Sequence, residues 1–139
     1  MTGKPLPLSD INGTVPDLIG RVCDGLLAQA FLHHGDLVES ANILYLHVGN
    51  VWHRLYFGYG IVFWRVQHEQ PENYEDSPEG WTFELTDLLP SLGGSSHRIE
   101  TIDFREEENR TVAEIRFGSG RAVRLTNSWD ADLTFWSVI

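Results

Sequence analysis

Cysteine is almost missing from this 139-residue chain, and Cys23 stands alone. A lone thiol excludes an intramolecular disulfide, a paired-thiol zinc ribbon and a dithiol redox couple, so a reducing cytoplasm is the simplest expected setting. Lysine is as scarce: Lys4 is the single lysine among ten basic residues, a bias that fits genome composition and carries no mechanistic weight. Positive charge as a whole is short, with 10 Lys and Arg against 20 Asp and Glu and a net charge of −10. That balance works against attraction to DNA, RNA or anionic lipid and favours a cationic partner, so neither nucleic acid nor a membrane is expected as a partner. No apolar run has the length of a transmembrane helix. The start, MTGKPLPLSDINGTVPD, shows neither a basic-then-apolar secretory pattern nor an Arg-rich transit pattern, so no targeting segment is expected.

Aromatic residues are plentiful. Five Trp, seven Phe and four Tyr, with 42% hydrophobic and 22% charged residues, argue for a packed core and against disorder. The length suits one domain, 1–139, that needs no disulfide or metal to fold. Residues 1–13, with Pro5, Pro7 and Gly13, read as an extended or loosely attached arm.

The segment from Thr14 to Gly35 reads as the one helix. Thr14 can cap it, Pro16 and Asp17 suit a first turn, and Gly35 supplies a stop. Leu18, Ile19, Val22, Cys23, Leu26, Leu27, Ala30 and Phe31 then form a broad apolar stripe that would lie on a sheet. Gly20 and Gly25 fit poorly, since each costs roughly 1 kcal/mol inside a helix relative to Ala.

From residue 43 onward the pattern changes to strands. Ile43 to Val48 and Val51 to Phe57 flank Gly49-Asn50, a two-residue hairpin signal, and Gly58-Tyr59-Gly60 leads into Ile61 to His68. Trp81 to Leu85, Arg98 to Arg105, Thr111 to Phe117, Arg121 to Thr126 and Leu133 to Ile139 read as further strands. The last of these, apolar on both faces, suits an interior position or a subunit contact, so a monomer or a homodimer is expected. Residues 86–97 have room for one helical turn capped by Thr86. The expected fold is therefore α+β: one N-terminal helix packed on a strongly twisted, mainly antiparallel sheet of about eight strands, which could roll into a half-barrel.

The Gly49-Asn50 turn sets a register for the hairpin: Val48 opposite Val51, His47 opposite Trp52, Leu46 opposite His53, Tyr45 opposite Arg54, and Leu44 opposite Leu55. One face then carries Leu44, Leu46, Val48, Val51, Leu55 and Phe57 with a single imidazole, His53, expected to be a hydrogen-bonded core histidine. The other carries Ile43, Tyr45, His47, Trp52, Arg54 and Tyr56. Rings, a guanidinium and an imidazole on one surface could stack on and hydrogen-bond a flat or anionic ligand, although the same residues also suit the solvent side of a sheet. The register beyond Gly58-Tyr59-Gly60 is open, leaving either Trp64 or Arg65 on the core side.

Catalytic signatures are missing. The six histidines show no HxH, HExxH or HxxxH spacing, and no metal or cofactor is expected. Asn127 to Asp132 offers alternate oxygen ligands but lacks the glycine and distant Glu of an EF-hand, so a polar turn is expected. Cys23 falls within the apolar stripe and should be inert. Ser95-Ser96-His97 has no nucleophile elbow around it, and no phosphate-binding glycine motif is present. Two acidic features remain: Glu69 to Gly80, read as a long solvated loop with five acids, two prolines and no base, and the exposed hairpin tip Glu106-Glu107-Glu108.

Two functions follow as expectations. The first is a non-catalytic protein-interaction module that takes a basic protein through Glu72, Glu75, Asp76, Glu106, Glu107 and Glu108. In general character, though in no motif, such a chain is similar to small acidic inhibitor or immunity proteins. The second is a small-ligand binder or enzyme that uses Tyr45, His47, Trp52, Arg54 and Tyr56.

Overall fold

Strands account for nearly all of the regular structure in a computed structural model that describes residues 3–76, 78–93 and 97–139. The arm contributes β1 (Lys4–Pro5) and β2 (Ile11–Asn12), with a 3-10 turn at Leu8–Asp10 between them. Then follow β3 (Val22–His33), β4 (Asp36–Val48), β5 (Val51–Gly58), β6 (Ile61–Gln67), β7 (Tyr74–Asp76) and β8 (Trp81–Asp87). After a single helical turn, α1 (Leu89–Leu92), come β9 (His97–Glu107), β10 (Arg110–Phe117), β11 (Ala122–Ser128) and β12 (Leu133–Val138). Among the described residues all twelve strands belong to one mixed sheet, and the segment from Thr14 to Gly35 holds no helix but the strand β3, which overturns the α+β expectation.

The misreading has a physical cause in β3. Its register against β4 slips between Cys23 and Gly25, so Cys23 faces Val48 while Gly25 faces His47. This bulge inserts one residue, and the buried Cys23 and Leu26 share a face three positions apart, a step that imitates a helical turn. The opposite face is also apolar, through Leu27 and Phe31, so the two-residue alternation of a strand is hidden. Gly20 and Gly25, awkward for a helix, have clear places here. Gly20 turns the chain at a φ of 83°, and Gly25 lies where a Cβ would come within 2.8 Å of the Trp52 ring and of the His47 Cβ. Gly25→Ala should therefore destabilise the protein by about 1–3 kcal/mol through overpacking, read from the urea midpoint; a change below about 0.5 kcal/mol would show that the ring moves aside freely.

The sheet runs in the order β12-β11-β10-β9-β3-β4-β5-β6-β2, with β1 added to β9, and β8 then β7 added to β3. Every pairing is antiparallel except β2 with β6. β3 holds the sheet together by changing neighbours along one edge: Val22 and Cys23 pair with β9, and Leu27 to His33 pair with β8. The two halves fold over one core, in which Leu26, Leu44, Leu46, Leu55 and Trp64 meet Ile99, Ile115, Phe117 and Leu125. Rolling brings β12 against β4, where side chains close the seam. Thr134 N–H donates to Glu39 Oε2 at 2.8 Å and Trp136 N–H donates to Ser40 Oγ at 2.9 Å. An otherwise open strand edge is thereby capped.

Three smaller expectations also change. The arm is extended but not loose, because Leu6 is buried and its N–H donates to the Phe104 carbonyl at 3.2 Å. The turn α1 is preceded by Leu88, not capped by Thr86, and the Leu89 N–H is satisfied by Asp87 Oδ1 at 3.1 Å. The acidic stretch after residue 69 is partly strand, since β7 pairs with β8. Ser95, Ser96 and the side chain of Asp76 lie outside the described residues. Among the described residues no helix is long and apolar enough to cross a membrane.

Candidate functional site

The hairpin of β4 and β5 has the register that its Gly49-Asn50 turn demands, with His47 opposite Trp52, Tyr45 opposite Arg54 and Leu46 opposite His53. Strand β6 resolves the open choice: Leu55 pairs with Trp64 and Arg54 with Arg65, so Trp64 enters the core and Arg65 goes outside. His53 is a satisfied core histidine. Trp64 Nε1–H donates to its Nδ1 at 3.1 Å, which requires a lone pair there, so the imidazole is neutral. Burial pushes the His53 pKa down, and the charges of Arg21 and His47 push it the same way.

On the outer face the structure brings Tyr45, His47, Trp52, Arg54 and Tyr56 together, but as a packed layer. Tyr45 and Trp52 each keep 7% exposure and meet edge to face at 6.4 Å. His47 lies 4.8 Å from Trp52 and its Nδ1 is bonded to Asp24 Oδ1 at 2.6 Å. Tyr56 stacks on Phe63 at 5.1 Å, and the Arg65 guanidinium sits over the same Phe63 ring. Arg54 Nε is buried without a hydrogen-bond partner. Burial raises the Tyr45 pKa, with the Arg54 charge opposing it.

The six acids assigned to a partner fall into two unlike settings. At the β9–β10 end, Glu106 reaches Lys4 at 3.9 Å, and Glu107 pairs with Arg105 at 3.4 Å and with Arg110 at 3.2 Å. Glu108 is exposed. Glu107 belongs to a ladder on the outside of β9, β10 and β11. There the Arg105 guanidinium, 5% exposed, also binds Asp103 and Glu114, while Arg116 and Arg124 bind Glu114 from its other side. Glu72 and Glu75 are exposed at the margin of the sheet, where β7 pairs with β8 alone.

Beside that margin lies a group of rings that the sequence did not single out. Tyr74 packs 5.8 Å from Phe83, Phe83 lies 4.8 Å from Phe31, Phe31 stacks on Trp81 at 4.5 Å, and Trp81 stacks on His33 at 4.0 Å. Assigning Phe31 and His33 to a helix hid them. The alternation Leu27, Gln29, Phe31, His33 was the available signal, because these residues register opposite Asp87, Leu85, Phe83 and Trp81.

The remaining chemistry is structural. The Cys23 thiol donates to the Gly25 carbonyl at 3.1 Å, and burial pushes its pKa up to about 12, the reverse of what a nucleophile needs. The oxygens of the Asn127 to Asp132 turn accept backbone donors: Gly60 N–H donates to Asn127 Oδ1 at 2.9 Å and Tyr59 N–H to Asp132 Oδ1 at 2.7 Å. Among the described residues no three His, Cys, Asp or Glu side chains gather as a metal set. No protein-family model, curated protein or solved structure matches the chain.

Proposed function

We propose that the protein is a non-catalytic interaction module that receives a cationic protein segment along the β7–β8 margin. The supporting observation is a run of acids with no basic residue beside one exposed ring, Tyr74. Residues 69–87 contain Glu69, Glu72, Glu75, Asp76, Glu79, Glu84 and Asp87 and no Lys or Arg. Tyr74 is 60% exposed, and an open cleft of about 240 Å³ is lined by Asn73, Tyr74, Glu75, Thr82, Phe83 and Glu84. A cationic segment that crosses the β7 edge meets both parts, with an aliphatic stem against the Tyr74 ring and its charged head at the flanking carboxylates. The Glu106 to Glu108 tip has a smaller part in this reading, since Glu106 and Glu107 already hold cations of their own chain. A cytoplasmic setting belongs to the proposal and rests on the lone, buried Cys23. The small-ligand reading has less support, because rings with 7% exposure offer little surface for stacking.

The test is titration with a hexa-arginine peptide at two salt concentrations. Changing Glu72, Glu75 and Glu84 together to Gln should weaken binding about tenfold or more, whereas changing Glu106 and Glu108 to Gln should alter it by less than about twofold. Equal losses from both sets would mean that only net charge matters and would sink the proposal, as would the absence of saturable binding.

A further inference from the structure

Basic side chains are scarce here, and most are engaged. Lys4, Arg105, Arg110, Arg116 and Arg124 hold carboxylates, and Arg65 is held by Asn12. Arg21 and Arg98 have no carboxylate partner among the described residues, yet they lie together. They border a cleft of about 450 Å³ where the turn before β3 meets the Gly49-Asn50 turn.

Each arginine is seated on a turn whose conformation makes room for it. Arg98 Nη1–H donates to the Gly20 carbonyl, which anchors its guanidinium at the rim. The Arg21 guanidinium lies over Gly49, where a Cβ would run into Nη2. Gly49 and Asn50 have φ of 58° and 62°, the left-handed pair of a tight hairpin, so the residue that permits the turn also admits the guanidinium. The one carboxylate lining this cleft, Asp24, is bonded to His47 at 2.6 Å. Two guanidiniums that make no ion pair among the described residues thus border, together with Asp24, a space wide enough for a tetrahedral anion, in a chain whose excess charge is of the opposite sign.

We infer that this cleft binds a phosphate group between Arg21 and Arg98. Forked guanidinium donors suit tetrahedral oxyanions, and a phosphate between two of them relieves the repulsion of like charges. The cleft is open, so the phosphate can be inorganic or can belong to a small phosphomonoester. This site is separate from the acidic margin and does not depend on the reading proposed for it.

His53 provides an internal reporter. Arg21 is among the charges that hold its pKa down, so an anion at Arg21 should let that pKa rise. The experiment is an NMR titration with inorganic phosphate and, in a second arm, glycerol phosphate, against chloride at matched ionic strength. Both phosphate probes should saturate and shift the amides of residues 20–22, 48–50 and 98, and both should raise the His53 pKa. Arg21→Gln and Arg98→Gln should each weaken binding about tenfold. In Arg21→Gln, His53 should start from a raised pKa and no longer respond. Arg21→Lys, which keeps the charge and loses the fork, should bind with intermediate strength. Both arginines are exposed, so circular dichroism should show unchanged folding. Shifts that grow linearly without saturation, that chloride reproduces, or that survive both Gln variants would overturn the site.

Discussion

Replacing Trp64 by Ala should lower the unfolding free energy by about 3–5 kcal/mol, the range for deleting a large ring from a core. Trp64 is 2% exposed and stands opposite Leu55 where the two halves of the sheet meet. Its core neighbours, Leu55 among them, are held on paired strands, so most of the cavity should persist. Trp64→Phe separates volume from hydrogen bonding, because it keeps a ring but removes the Nε1–H donor to His53. That variant should cost about 1–3 kcal/mol near neutral pH, part of it from the unpaired Nδ1. It should also change the acid limb. In the wild type the His53 pKa is held below its usual 6.5, first by burial and then by Arg21 and His47. As pH falls below about 6.5 the unfolded chain takes up a proton that the folded chain refuses, so stability is lost down to the folded pKa. Without the donor, protonation of Nδ1 becomes easier in the folded state, and Trp64→Phe should lose less stability than wild type over that window. Urea unfolding at several pH values measures both effects; a Trp64→Ala loss under about 1.5 kcal/mol would show that the core collapses around the site.

Arg105→Ala should be comparably damaging, by about 3–5 kcal/mol. The guanidinium is 5% exposed and contacts Asp103 at 2.6 Å, Glu114 at 3.2 Å and Glu107 at 3.4 Å. Removing it leaves Glu114, 10% exposed, with Arg116 and Arg124 on one side and no cation on the other. The loss reports the isolation of buried carboxylates more than the net worth of the ion pairs. Arg105→Leu combined with Glu114→Leu should therefore recover about half of the single-variant loss or more, because the buried charges go together. A double variant as unstable as Arg105→Ala would contradict this account. So would an Arg105→Ala loss below about 1 kcal/mol, which would place the ladder with ordinary surface pairs.

Much of the sheet was legible because its signals are local. Gly49-Asn50 sets the β4–β5 register through the backbone angles it permits, and alternation from residue 43 onward marks core and outer faces. β3 was illegible for the opposite reason. A bulge at Asp24-Gly25 and apolar residues on both faces erase the two-residue period, and only the glycines dissent from a helix. Of the site residues, Tyr45, His47, Trp52, Arg54 and Tyr56 were placed on one surface correctly, since strand pairing determines that. Their burial was not legible, because it depends on where Gly25 and Asp24 of β3 lie. The acids were legible as a list of charges and not as a surface: nothing local shows that Glu107 faces Arg105 while Glu72 faces solvent. Arg21 and Arg98 are 77 positions apart, 98 minus 21, and their meeting depends on β3 pairing with β9.

The clasp between β4 and β12 bears on the order in which the chain folds. Its two bonds join residues 95 and 96 positions apart, while the hairpins on either side close over only a few residues. Closing so long a loop carries a large entropic cost before any contact rewards it, and the pairing of Lys4 with Glu106 closes a still longer one. The hairpins should therefore appear early, and the roll of the sheet should complete after them. In the time between, the open flank of β12 presents Thr134 and Trp136 amides to any neighbouring chain. Refolding yield should then fall with protein concentration because the final closing is slow, even though the finished molecule has that flank covered.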